Sequence, residues 1–182
     1  IFKLNCVYLP IDVALPKERK EYMLEDSGAR YLLHSAKMNE EDDSIGQEIY
    51  GHLGIMKIKK NSYYSMEDTE ELKDVAYLMY TSGTTGRPKG VLVKVNSLLT
   101  FIKGIEETIH LKNHKVILAA TTISFDISIL ELVLPLVAGI TIVIATEDEQ
   151  KDPSQLAKLI IKYNVDIIQM TPTRINTFFF AD

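Results

Sequence analysis

The 182-residue sequence has one cysteine, no excess of basic charge and no methionine at its start, and no apolar run in it is both long and unbroken. A single thiol excludes an internal disulfide framework and fits a reducing compartment, so a cytoplasmic protein is expected. Cys6 lies in the apolar string Cys6-Val7-Tyr8-Leu9 and is expected to fill core rather than to act as a nucleophile. With 20 Lys+Arg against 25 Asp+Glu, the net charge of -5 leaves no footprint for nucleic acid. The most membrane-like stretch, Ile127 to Ala145, is broken by Ser128, Glu131, Pro135, Gly139 and Thr141. It reads as a buried helix followed by a strand in a soluble chain. His34, His52, His110 and His114 lack metal-ligand spacing, and the acidic run Glu40-Glu41-Asp42-Asp43 lacks the alternation and placed glycine of a cation loop. The start at Ile1, without a signal-peptide pattern, is expected of an internal piece of a longer protein.

What is present is an ordinary 46% hydrophobic content, enough for one domain with a sizeable core, arranged in alternating strand and helix patterns. A short strand is expected at Cys6 to Pro10. A helix follows from Pro16, with Tyr22, Met23 and Leu24 on its apolar face and a stop at Gly28, and then a strand from Arg30 to His34. Ala36 to Gly54 reads as a polar surface loop with a weak helix over Ser44 to Leu53, Ile55 to Lys60 as a strand, and Asn61 to Lys73 as a loop. Beyond residue 94, Asn96 or Ser97 caps a helix through Leu111 whose buried stripe is Leu98, Leu99, Ile102 and Ile105. Strands are expected over Val116 to Thr122, Ile140 to Ala145 and Asp166 to Met170. Helices are expected from Asp126 to Gly139, from Pro153 to Asn164 with Leu156, Leu159, Ile160 and Tyr163 inward, and from Thr171-Pro172 onward. The alternation predicts an α/β fold, a largely parallel sheet flanked by helices, with a subdomain change near residues 110–125.

Between the buried strand Val75 to Met79 and the short strand Val91-Leu92-Val93 lies Tyr80-Thr81-Ser82-Gly83-Thr84-Thr85-Gly86-Arg87-Pro88-Lys89-Gly90. Its glycines free the backbone to turn N–H groups inward as an anion nest. The hydroxyls of Thr81, Ser82, Thr84 and Thr85 can donate to phosphate oxygens, and Arg87 and Lys89 add positive charge. It is not a Walker A loop, because Pro88 separates the glycines from Lys89 and a strand follows. Composition alone also fits a plain Gly/Thr surface turn. Asp126 stands at the start of an apolar helix, where the plain expectation is an N-cap.

Tyr80 to Gly90, with Ala76-Tyr77 before it, resembles the phosphate-loop signature of the adenylate-forming, or AMP-binding, enzyme superfamily, which includes acyl-CoA ligases, luciferases and the adenylation domains of nonribosomal peptide synthetases. Tyr8-Leu9-Pro10-Ile11-Asp12, Pro16-Lys17-Glu18-Arg19, Phe125-Asp126-Ile127-Ser128 and Thr171-Pro172-Thr173 resemble adenylation-domain motifs in the same order, so the resemblance runs from Cys6 to Phe179. Asn5-Cys6 and Lys94-Val95 depart from the family's usual glycine and acidic-histidine pair.

The resemblance implies the large N-terminal portion of that superfamily's fold, in incomplete form. It implies ATP and Mg²⁺ as cofactors, with Thr81, Ser82, Gly83, Thr84, Thr85, Gly86 and Lys89 around the phosphates. It further implies an amino-acid pocket at Phe125, Asp126, Ile127, Leu130 and Gln169, with Asp126 on the substrate's α-ammonium group. A leucine and a glutamine in that pocket imply a small substrate such as glycine. The implied product, an aminoacyl-adenylate, passes to a carrier-protein thiol on phosphopantetheine, as in antibiotic biosynthesis. An acyl-CoA or aryl-acid ligase and a non-enzymatic binding module are the alternatives. The family's later adenine-, metal- and ribose-binding motifs and its catalytic lysine are not in these residues, so no catalytic residue is assigned and the chain alone is expected to be inactive, with exposed core surface open to association.

Overall fold

The computed structural model describes residues 1–35, 47–50, 53–58, 72–83 and 86–180. The acidic run at 40–43, the loop at 61–71, and Thr84 and Thr85 lie outside them. The chain falls into two compact units: Ile1–Leu9 with Val13–Val91, and Pro10–Asp12 with Leu92–Asp182. The division therefore comes at Val91, upstream of residues 110–125.

In the first unit, helix α1 (Lys17–Asp26) begins directly after Pro16, whose fixed φ suits the entry to a helix, and buries Met23. Gly28, at φ 62, turns the chain into β1 (Tyr31–Ser35). β2 (Gln47–Tyr50) and β3 (Leu53–Lys57) complete an antiparallel sheet of order β1-β3-β2. These two strands replace the weak helix expected over Ser44 to Leu53. Glycines at 51 and 54 penalise a helix by about 1 kcal/mol each, and pairing with β1 supplies what local propensity does not.

β4 (Val75–Thr81) is buried along nearly its whole length and pairs with β5 (Lys89–Lys94). Residues Cys6 to Pro10 form no full strand. Tyr8 alone bridges Tyr77 in parallel, through Tyr8 N to Ala76 O at 3.0 Å and Leu78 N to Tyr8 O at 2.9 Å. With so short a pairing Cys6 stays exposed, not in the core.

The second unit carries the parallel part of the fold. β6 (Val116–Ala119) lies between β7 (Thr141–Ile144) and β8 (Ile167–Ile168), parallel to both. Ile117 and Leu118 are completely buried, as expected of a strand covered on both faces. Helix α2 (Val95–Ile109) precedes β6 and buries Leu98 and Ile102. Leu99, expected in its stripe, is 55% exposed, because one helical step beyond Leu98 turns it about 100° off the buried face. The helix also stops short of Leu111, at a left-handed His110.

Helix α3 (Ile127–Ala138) crosses from β6 to β7 and ends at Gly139, φ 72. The short α4 (Glu147–Lys151) and then α5 (Pro153–Tyr163) lead to β8, and α6 (Pro172–Phe180) follows. Leu156 and Leu159 of α5 close a core with Leu118, Ala120 and Ala145. Tyr163, expected inward, is 43% exposed, as the last residue of the helix before a left-handed Asn164. No helix among the described residues is long and apolar enough to cross a membrane.

Gly54 sits opposite His34 in the β1–β3 register, and a Cβ there would fall inside the van der Waals radius of the buried imidazole. Gly54→Ala is therefore expected to destabilise the chain by about 1–3 kcal/mol in urea unfolding. Combining it with His34→Ala is expected to cost less than the sum of the two changes, which a double-mutant cycle measures.

Candidate functional site

In the first unit, the glycine-rich loop leaves β4 at Thr81 and returns to β5 at Lys89. Gly86 N donates to Gly83 O at 3.1 Å, closing a turn, and Gly86 sits at φ 84, a backbone region costly for other residues. Gly83 faces the carbonyl oxygen of Arg87 so closely that any Cβ would overlap it. Thr81, Ser82, Gly86 and Lys89 are exposed and Gly83 half-buried, so the loop presents backbone and side-chain donors to solvent. Arg87 does not simply add charge to the loop mouth: its guanidinium stands 5.8 Å over the Tyr22 ring.

The other predicted group belongs to the second unit. After β6 the chain goes first to β7 on one side and later to β8 on the other, so strand order reverses at β6. In open parallel sheets such a reversal leaves a crevice at the carboxyl ends of the strands, where ligands bind. Residues 120–126 leave β6 at that edge, and Gln169 follows β8 at the same edge. The topology thus gathers Phe125, Asp126, Ile127, Leu130 and Gln169 around one switch point. Phe125 and Asp126 are exposed, while Ile127, Leu130 and Gln169 are half-buried.

Asp126 does not cap α3 with its side chain. Its φ and ψ, -59° and -28°, are already helical, whereas a capping residue needs extended geometry to reach back to the first amides. Ile129 N instead takes the Asp126 carbonyl at 3.0 Å. The Asp126 side chain is exposed and takes no part in the cap.

The residues that shape this segment were not foreseen from sequence. Glu131, one turn into α3 and fully buried, accepts from Ala120 N at 3.0 Å and Thr121 N at 2.9 Å through Oε2, and from the Thr121 hydroxyl at 2.8 Å through Oε1. Burial raises its pKa above the usual carboxylate value, against the lowering effect of the Thr121 and Ala120 hydrogen bonds and of the Arg174 charge. Arg174 of α6 donates to Ala120 O at 2.7 Å and to Gln150 O at 2.8 Å, tying the element after β8 to the end of β6.

Further along, Ser128 donates to Ile123 O at 3.2 Å, Ser124 Oγ accepts from Asp12 N at 2.9 Å, and Thr122 donates to the Asp12 carboxylate. Asp12, a scaffold residue in the sequence reading, thus fixes the same segment. The one signal for Glu131 was a lone acidic residue inside an apolar helix pattern, which demands a buried partner. Among the described residues no three His, Cys, Asp or Glu side chains converge on a metal-sized site.

Comparison with known proteins places these features in context. The AMP-binding enzyme family pattern matches residues 1–181. A dimodular nonribosomal peptide synthase of Bacillus subtilis (strain 168) is 37% identical over 177 residues, covering 95% of this chain but 7% of that protein. Among solved structures, a four-domain nonribosomal peptide synthetase, AB3403, bound to AMP and glycine, superposes with TM-score 0.72 at 26% identity, over 97% of this chain and 13% of its own. An o-succinylbenzoate coenzyme A synthetase from Bacillus subtilis, in complex with AMP, shares the fold at TM-score 0.68 and 22% identity, over 93% of this chain and 44% of its own. The chain therefore spans a small part of the peptide synthetases it matches.

The Glu131 network makes a prediction with a definite sign. Glu131→Ala strands two buried N–H groups and is expected to cost about 2–5 kcal/mol in denaturant unfolding. Glu131→Gln keeps an acceptor for both amides and is expected to cost far less. Because the folded pKa of Glu131 is raised, its protonated form favours the fold. The stability of the native chain relative to Glu131→Gln is therefore expected to be highest below the unfolded carboxylate value and to fall as pH rises through the folded one, which unfolding at several pH values tests.

Proposed function

The chain belongs to the AMP-binding enzyme family, and on that premise we propose that it forms the nucleotide-phosphate and amino-acid portions of an adenylation domain in nonribosomal peptide synthesis. The reaction is attack of an amino-acid carboxylate on the α-phosphorus of ATP. The bond to the bridging oxygen of the β-phosphate breaks, pyrophosphate leaves, and the aminoacyl-adenylate then passes to the phosphopantetheine thiol of a carrier domain.

In this reading the exposed Ser82, the backbone of Gly83 and Lys89 hold the β and γ phosphates, while Gly86, whose N–H closes the turn on Gly83 O, and Thr81, whose hydroxyl donates to Lys89 O, shape the loop around them. Thr84 and Thr85, outside the described residues, belong to the same loop. Hydrogen-bond donors aimed where charge accumulates lower the barrier without having to reorganise. Mg²⁺ bound with ATP would spread the charge of the departing pyrophosphate. The described residues supply no donor set for a resident ion, and none of their roles depends on one.

The observation that carries the amino-acid reading is the Asp126 carboxylate, exposed at the switch point and not used as a cap. A carboxylate facing an α-ammonium group forms a charge-assisted contact that fatty or aryl acids cannot return. Phe125, Ile127, Leu130 and Gln169 form the walls. The size of Leu130 and Gln169 favours a small side chain, a reading supported by the glycine bound in AB3403.

Amino-acid-dependent ATP–pyrophosphate exchange by the full-length protein tests the proposal. It is expected to be fastest with a small amino acid and absent with fatty or aryl acids. Asp126→Asn is expected to raise KM for the amino acid about 10- to 100-fold, the loss of one charged hydrogen bond, with KM for ATP little changed. Exchange driven by carboxylic acids lacking an amine would assign the chain to the acyl-CoA or aryl-acid ligases instead. No ATP dependence with any acid would leave a binding module.

A further inference from the structure

The glycine-rich loop is tied down on both sides by one cluster on α1. Asp26, the last residue of that helix, accepts from the Tyr80 hydroxyl at 2.7 Å through Oδ2 and from the Tyr22 hydroxyl at 3.2 Å through Oδ1. Tyr80, the residue before Thr81, is buried, and its ring meets that of Tyr22 edge-on at 6.5 Å. Arg87, on the returning arm of the loop, lies over the same Tyr22 ring. The outgoing and returning arms therefore converge on Tyr22 and Asp26.

The helix itself does not explain Asp26. A carboxylate at a helix C-terminus faces the negative end of the helix dipole and is unfavourable there. What offsets this are the two tyrosine hydroxyls that donate to it. The coupling shows also in the tyrosines. Burial, the hydrogen bond from Tyr80 to Asp26 and the carboxylate's charge all raise the Tyr80 pKa, so its proton stays in the bond at any physiological pH. The Arg87 guanidinium, though exposed, rests over the Tyr22 ring.

We propose that Asp26, through Tyr80 and Tyr22, is a positioning residue that presets the glycine-rich loop for the triphosphate of ATP. The inference rests on the phosphate-binding reading of that loop. A loop already in its bound shape loses less conformational freedom on binding, so the cluster acts on nucleotide affinity without touching the nucleotide.

The test uses the full-length protein with Tyr80→Phe, which keeps the buried ring and removes one hydroxyl, and Asp26→Ala, which removes the shared acceptor. KM for ATP in pyrophosphate exchange is expected to rise about fivefold in Tyr80→Phe and at least tenfold in Asp26→Ala. KM for the amino acid is expected to stay within twofold, a split that a general loss of folded protein does not produce. Without nucleotide, hydrogen exchange at the Gly86 amide, which donates to Gly83 O, is expected to quicken at least tenfold in both variants. Unchanged loop exchange in both variants overturns the mooring, and faster exchange with unchanged KM for ATP overturns its role in nucleotide binding. Failure of the adenylation reading is a separate result: unmodified protein would then show no acid-dependent exchange, and the amide data would still decide whether Asp26 presets the loop.

Discussion

Two backbone amides at the end of β6 need an acceptor away from water, and the Glu131 carboxylate provides it. The parallel sheet of the second unit reverses its strand order at β6, so everything arranged at the crevice depends on where residues 120 and 121 point. Glu131 holds their N–H groups from α3, while Arg174 holds the Ala120 carbonyl from α6. The two side chains thus hold both ends of the peptide group that joins Ala120 to Thr121. What such contacts chiefly secure is one arrangement, because losing either side chain leaves a backbone group without its partner. At a binding edge, a single arrangement matters more than surplus stability.

The same logic recurs at the glycine-rich loop with weaker parts. There the backbone turns freely, and what restrains it is a carboxylate shared by two phenols and a guanidinium resting on one of their rings. In both places the chain puts its donors on a segment without regular structure and borrows rigidity from a helix alongside. The units differ in sheet type, antiparallel β1-β3-β2 in the first and parallel β7-β6-β8 in the second, yet each solves the problem with an acidic residue on the adjoining helix.

Much of the fold was legible in the sequence because burial on both faces writes a continuous apolar run. Val75 to Met79 and Val116 to Thr122 read as strands for that reason, and strands run over Val75–Thr81 and Val116–Ala119. Proline and glycine punctuation placed α1, α3 and α5 within a residue or two. The errors came where sequence pattern and tertiary context disagree. Residues 47–50 and 53–57 carry mixed polar and apolar side chains and pair only because β1 is present. Cys6 looked like core because its neighbours are apolar, but a one-residue bridge buries little. Of the candidate site, the loop and Asp126 were found through resemblance, since their residue types alone fit a turn and a cap. Glu131, Arg174, Asp12 and Asp26 were missed because they act through backbone and side chains far away in the chain, a relation that no local spacing encodes.

Gly83 shows what such close packing means for descent. Every amino-acid-changing single-base substitution in a glycine codon installs at least one extra carbon, and here that carbon would land on the carbonyl of Arg87. Lineages carrying this turn therefore have no one-step neutral neighbour at position 83. No amino-acid change at 83 is open without a shift of the Arg87 peptide.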